Sequence, residues 1–170
     1  MDQTNDLIEI ENTKNEVIGV QKRGYVHKMN LMHRSVHIAL INSRGKMLLQ
    51  QRASSKDCEP GKRDTSAAGH IDVGEFSLQA SERELNEELG LRVTPFDQVF
   101  SLSASTETGH EFIDVFLCRS NFTPSPYPVE IIATKWCSTQ VLNRWIKKEA
   151  GIFTFVFKDI FFQLRKLRVI

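Results

Sequence analysis

The chain has 170 residues, 41% of them hydrophobic and 25% charged, with a formal net charge of +1. That size and balance suit one folded unit with a proper core, here taken as a single domain over 1–170. They exclude the basic excess expected of a surface that binds nucleic-acid polymers or membranes.

In chain order, the polar N-terminus MDQTNDL reads as no signal peptide. Segments 7–10 and 17–21 read as an N-terminal hairpin, occupying about 6–22, across a polar turn. The apolar, β-branched run 36–41 predicts a strand. The turn NSRGK (42–46) leads into 47–51, so the two are expected to form a second hairpin. A polar loop follows over 53–62. Its Gly61-Lys62 is no phosphate-binding P-loop, because Lys56 stands where that loop needs glycine. Further strands are expected at 99–104, 112–118 and 131–137, with a Pro-containing loop over 122–128. Segment 138–149 reads as an amphipathic helix with Val141, Leu142, Trp145 and Ile146 on one face and Ser138 as N-cap. A second closing helix is expected over 155–167. The order of strands and helices predicts an α+β fold, an α/β/α sandwich with mixed strand pairing. Cys58, Cys118 and Cys137 are far apart and contain no CxxC pair. They read as reduced thiols, in keeping with a cytoplasmic location.

The stretch 66–91, SAAGHIDVGEFSLQASERELNEELGL, gathers five glutamates around one arginine. On a helix over 77–89, stopped by Gly90, Leu78, Leu85 and Leu89 fall within roughly 40° of one another and would face the core. Glu84, Glu87 and Glu88 are spaced i, i+3, i+4 and form a second face. A solvated acidic face is one reading. The other is a cleft in which cations neutralise three stacked carboxylates, and Mg²⁺ prefers such oxygen ligands. Gly69 would let the backbone approach that cleft closely and offer its carbonyl oxygen.

The spacing also carries a family resemblance. Gly69, five residues, Glu75, seven residues, then Arg83-Glu84-Leu85-Asn86-Glu87-Glu88-Leu89-Gly90-Leu91 resembles the Nudix box at all nine of its specified positions. This likeness implies a Nudix fold, a mixed β-sheet between helices with a loop–helix–loop at 69–91. It also implies Mg²⁺- or Mn²⁺-dependent hydrolysis of a small-molecule diphosphate, of nucleoside diphosphate or related type. By the same resemblance Glu84, Glu87, Glu88 and the Gly69 carbonyl are metal ligands. Arg83 and Glu75 form the pair that orients catalytic Glu84 and Glu88. The general base is a box glutamate or one outside it, with Glu111 the candidate.

HRSVHIALIN (33–42), LLQQRASSKDCEPGKRD (48–64) and Gly69-His70 are similar to the branch containing isopentenyl-diphosphate isomerase and related uncharacterised bacterial hydrolases. That likeness implies diphosphate binding by Arg52 and Lys56, a fork and a point charge for phosphate oxygens. It implies a second metal site at His33, His70 and Glu111, with His27 near. Ala67-Ala68 precede Gly69, where the isomerase carries a cysteine, and the box that the isomerase has lost is complete here. Hydrolysis is therefore expected over its alternatives, isomerisation or ligand binding without turnover. A monomer and a homodimer both fit the sequence.

Overall fold

The computed structural model describes residues 5–56 and 58–170. The first four residues of the polar N-terminal segment, and Asp57 in the expected 53–62 loop, lie outside the described residues. Strands β1 (Leu7–Glu11) and β2 (Val17–Lys22) pair antiparallel as the expected hairpin. Helix α1 (Arg23–Met29) follows directly, and the sequence reading did not foresee it. Of its seven residues only Val26 is buried, so it lacks the repeated apolar spacing that marks a helix. Its ending is local: Asn30 takes a left-handed backbone (φ 52°) and its N–H donates to the carbonyls of His27 and Val26.

The centre of the molecule is β3 (His33–Ile41). Along its whole length it runs parallel to β8 (Glu111–Arg119), and β6 (Ala67–His70) pairs antiparallel with its middle. Strand β7 (Phe96–Leu102) lies antiparallel outside β8. It begins three residues before the expected 99–104, and the polar stretch 103–105 already belongs to the following loop.

The expected second hairpin is corrected. Strand β4 (Lys46–Arg52) meets β3 at one register pair, Ile41–Met47, and then leaves it. Its other partners are β9 (Ile131–Ser138), over nearly its whole length, and β5 (Arg63–Asp64) at its far end. A short turn fixes only the root of a hairpin, and here both strands find long partners elsewhere. The result is a mixed sheet whose halves, β6–β3–β8–β7 and β9–β4–β5, splay from that root.

Each face of the sheet is covered. Val36, Ile38 and Leu40 of β3 pack with Ala80, Leu85 and Leu89 of α2 (Ser77–Leu89). The opposite face carries Ala39, Ile41, Val115 and Leu117. Against it lie Leu142 and Ile146 of α3 (Thr139–Lys148) and Phe157, Ile160, Phe161 and Leu164 of α4 (Phe155–Lys166). Burial on both faces explains why β3 reads as a continuous apolar run rather than an alternating one. The Ser138 cap forms as expected, its hydroxyl accepting from Val141 N–H, and Thr154 caps α4 in the same way. Val141, placed by the sequence on the buried face of α3, is 41% exposed. Among the described residues no helix is long and apolar enough to cross a membrane.

Phe153, Phe157 and Phe161 form a continuous stack with ring centroids 5.4 and 6.0 Å apart, all fully buried. Phe157→Ala would leave a ring-sized void at its middle. The expected loss, read from chemical denaturation, is about 3–5 kcal/mol.

Candidate functional site

Helix α2 supplies the acidic side chains, and its two ends are fixed by different means. At the start Ser77 Oγ donates to Asp114 Oδ2 (2.5 Å), and Gln79 Oε1 accepts from Phe76 N–H (3.1 Å). At the end Gly90, at φ 65°, bonds back to the carbonyls of Asn86 and Leu85. The remaining carbonyls of Leu89 and Glu88 accept from Ser125 and Tyr127 N–H, so the Pro-containing loop caps the helix.

The orientation of α2 differs from expectation at Leu78, which was placed on the core side with Leu85 and Leu89. At about 100° per residue, its buried positions (Ala80, Ser81, Glu84, Leu85, Glu88, Leu89) cover an arc centred near Ser81 and Glu88. The leucine stripe lies at one margin of that arc, which leaves Leu78 46% exposed. Two of the three box carboxylates are on the inner face: Glu88 is 2% exposed and Glu84 9%, whereas Glu87 is open to solvent. The acidic face is therefore not simply a solvated one.

Each inner carboxylate has a defined environment. Glu88 Oε2 accepts from Gln50 Nε2 (3.2 Å) on β4 and from Ala68 N–H (3.1 Å) on β6, so it joins the two splayed half-sheets. Lys56 Nζ stays 4.0 Å from Glu88 Oε1 and pairs more closely with Glu130 (2.5 Å). Glu84 Oε1 accepts from Arg83 Nη1 (2.6 Å). The same guanidinium holds Glu75 through two bonds (3.0 and 2.8 Å) and donates to the His70 carbonyl (2.9 Å). Arg83 is thus wholly engaged within the box. Gly69 faces Glu84 so closely that a Cβ there would sit 2.0 Å from Glu84 Oε1, so any side chain at 69 would push the Glu84 carboxylate out of its place.

The proton affinities show which charges remain uncompensated. Burial pushes the Glu84 carboxyl up to about 7 despite Arg83 beside it. Burial, and then repulsion from Glu84, holds Glu88 well above the ordinary carboxylate range despite Lys56. Glu75 is the contrast: burial opposes its charge, but the Arg83 hydrogen bonds prevail and hold it low. Two inner carboxylates with too little positive charge, beside a glycine backbone, are a donor set suited to a hard divalent cation.

A second cluster stands nearby. Helix α1 brings His27 against His33 and His70, with one ligand atom from each within 4.8 Å of the others. His27 Nε2 lies 3.1 Å from His70 Nε2. Glu111 Oε1 is 3.7 Å from His33 Nε2 and 3.9 Å from His70 Nε2. His33 Nδ1 is held by the Leu31 carbonyl (2.9 Å), while its Nε2 is buried with no hydrogen bond, an orphaned donor atom aimed into the cluster. Burial works against charge on His33, but Glu111 prevails and raises its proton affinity. Burial lowers that of His70 strongly. Burial would raise the Glu111 carboxyl, but His33 and His70 hold it far down. Three imidazoles and a carboxylate suit a borderline metal better than Mg²⁺.

Both clusters open on one cavity of about 930 Å³, whose lining includes Gly69, Glu84, His70, Glu111, Arg52 and Lys56. The structure thus brings the expected residues to a common cleft. Neither basic residue is idle there. Arg52 donates from Nε and Nη2 to the Cys58 carbonyl (3.1 and 3.0 Å), and its Nη1 lies 3.5 Å from Asp64 Oδ2.

Four site residues escaped the sequence reading: Gln50, Asp64, Glu130 and His37. The last had a visible signal. His33, Ser35 and His37 recur at period two in β3, which puts three polar side chains on one face of the strand.

Comparison with known proteins gives three concordant results. A family model, NUDIX domain, matches residues 31–155. An uncharacterized Nudix hydrolase of Yersinia pestis is 33% identical over 131 residues, 77% of this chain and 72% of that protein. An isopentenyl-diphosphate Delta-isomerase of Serratia proteamaculans is 30% identical over 160 residues, 91% and 89% of the respective lengths. Among solved structures, DR0079 from Deinococcus radiodurans superposes with a TM-score of 0.79 at 27% identity, covering 95% of this chain and 98% of that one.

The raised carboxyls make a signed prediction. A group whose folded pKa exceeds its unfolded value favours folding below the unfolded value and loses that contribution as pH rises through the folded one. Glu88→Gln mimics the protonated form. In metal-free protein it should melt with the wild type near pH 4 and above it by pH 8, the gap widening as pH rises. Melting curves in chelator across that range measure it.

Proposed function

The chain belongs to the Nudix family, and on that premise we propose that it is a Mg²⁺- or Mn²⁺-dependent hydrolase of a small-molecule diphosphate linkage. The carrying observation is the pair Glu84–Glu88, buried at Gly69 with too little positive charge around it. In this reading Glu84, Glu87, Glu88 and the Gly69 carbonyl hold the cation. Bound there, it would supply charge neutralisation for the diphosphate and acidify a water. Arg83 is a positioning residue, because its donors are already committed to Glu75, Glu84 and the His70 carbonyl. Arg52 is the better diphosphate ligand. Its fork is spent on a neutral carbonyl, which phosphate oxygens would displace with a stronger, charge-assisted bond. Lys56 would exchange part of its pairing with Glu130 for the second phosphate.

A second reading is favoured by the histidine cluster. His27, His33, His70 and Glu111 form the centre that the likeness to isopentenyl-diphosphate isomerase implies, and the Serratia relative carries that name. Moving a double bond takes a proton donor and an acceptor on opposite sides of the alkene. Ala68, beside Gly69, offers only a methyl group. Binding of a metal by the histidines is compatible with hydrolysis, in which it would hold the substrate rather than the reacting bond.

A hydrolysis screen that reads phosphomonoester, pyrophosphate and phosphate products should find turnover of at least one diphosphate with Mg²⁺ or Mn²⁺. Suitable members are nucleoside triphosphates, nucleotide sugars, dinucleoside polyphosphates and prenyl diphosphates. On that substrate Glu88→Gln should lower kcat by at least about a hundredfold, the scale of losing one strong electrostatic stabiliser. No release from any member would favour ligand binding without turnover.

Isopentenyl diphosphate incubated in D₂O should be recovered without deuterium on carbon, as mass analysis would show. Incorporation that persists after contaminating isomerase is removed would establish the isomerase reading instead.

A further inference from the structure

Hydrolysis at this cleft needs a group that accepts the proton of the attacking water, and the box carboxylates are poorly placed for it. Once Glu84 and Glu88 bind a cation, their lone pairs are engaged. Glu111, the candidate outside the box, is fixed between His33 and His70, where it would serve the second metal cluster. Among the described residues one imidazole lining the cleft, that of His37, is assigned to neither metal cluster.

We propose that His37 Nε2 is the general base of the hydrolytic reaction, oriented by Asp64 and Thr65. His37 lies in β3, is 6% exposed and lines the same cavity as Gly69, Glu84 and Arg52. Its register partner is Ala68, whose N–H donates to Glu88 Oε2. The imidazole itself lies on the face of β3 away from α2, with Ala39 and Ile41, and meets the box carboxylates through the shared cavity.

The hydrogen bonds fix which nitrogen is free. His37 Nδ1 is 2.9 Å from Thr65 Oγ1, and that hydroxyl donates onward to the Ala67 carbonyl (3.3 Å). With the Thr65 hydroxyl directed to Ala67, its Oγ1 is the acceptor at His37, an arrangement that favours the tautomer protonated on Nδ1. Asp64 Oδ1, 3.7 Å from Nδ1, favours the same tautomer. Among the described residues Nε2 has no hydrogen-bond partner, and unlike His33 Nε2 it is not sealed from the cavity. Burial, partly opposed by Asp64, lowers the proton affinity of the ring, so it is neutral and able to accept.

Asp64 does two things at once. Its Oδ1 accepts from Thr65 N–H (2.8 Å) and faces His37, while its Oδ2 faces Arg52 Nη1 (3.5 Å). One buried carboxylate thereby sets both the base and the fork that would hold the diphosphate. It would also stabilise the imidazolium formed in the reaction, as a buried carboxylate does behind a catalytic histidine. In the step itself the water oxygen bonds to phosphorus. The bond from that phosphorus to the bridging oxygen breaks, and its electron pair leaves with that oxygen. The water proton passes to Nε2 and then to solvent.

This assignment rests on the hydrolase reading, and the test separates the two. On a substrate found by the screen, His37→Ala should lower kcat by about 10²–10⁴-fold with little change in KM. Added imidazole should restore part of the rate in proportion to its free base. His37→Gln, which fills the same space, should be as slow and should not respond to imidazole. If His37→Ala melts far below the wild type, His37→Gln carries the kcat comparison. A rate within about threefold of wild type in either folded variant, or a loss confined to KM, would overturn the role of His37. So would a kcat loss in folded His37→Ala that imidazole leaves unchanged. A wild type that turns over nothing in the screen would instead remove the hydrolase reading beneath it.

Discussion

The site depends on one constraint: two carboxylates from α2 are packed against a strand where a single glycine makes room. Glu84 comes so close to Gly69 that a side chain there would displace its carboxylate, and Glu88 is bonded from β4 and β6 at once. Burying like charges in a low-dielectric setting is unfavourable unless something compensates. Arg83 compensates Glu75 fully and Glu84 only in part, and Lys56 stands too far from Glu88. The surrounding architecture keeps this arrangement from relaxing. The α2 termini are fixed by Asp114 at one end and the 121–130 loop at the other. The splay of β3 from β4 leaves the gap that Glu88 spans.

Much of this was legible in the sequence because it is local. The ends of α2 and the N-cap of α3 follow from spacing within a few turns of chain, and so does the apolar character of β3 and β8. The Arg83–Glu75 pairing came with the family resemblance. The box motif added the family, and with it the sandwich. What escaped notice depends on distant partners. The turn at 42–46 correctly joined β3 to β4, yet nothing near it says that both strands leave each other for β8 and β9. Strands β5 and β6 are too short to carry a periodic signal.

The error over α2 is instructive in the same way. Its leucines were placed correctly by helical geometry, but the inner face of a helix is set by what surrounds it. Here the buried arc rotates toward the acids, because the cleft lies on that side. Leu78 consequently faces water. A hydrophobic stripe locates the core side of a helix only when every inward residue is apolar, and functional helices break that condition. His37 escaped for a related reason. A buried histidine reads as structural until Asp64 of β5 and the adjoining Thr65 show which of its nitrogens is left open.

The histidine cluster has another property, which concerns the order of assembly. The carboxylate helix and Gly69 come from one continuous stretch of 23 residues, so that half of the cleft can take shape from local contacts. The histidines cannot gather so early. His27 belongs to α1, behind the N-terminal hairpin, while Glu111 meets His33 only once the parallel strands β3 and β8, far apart in sequence, have paired. Parallel pairing over such a separation is slow, because the intervening loop must be ordered before any bond repays it. The two halves of the cleft therefore differ in how far along the chain their ligands must be brought together.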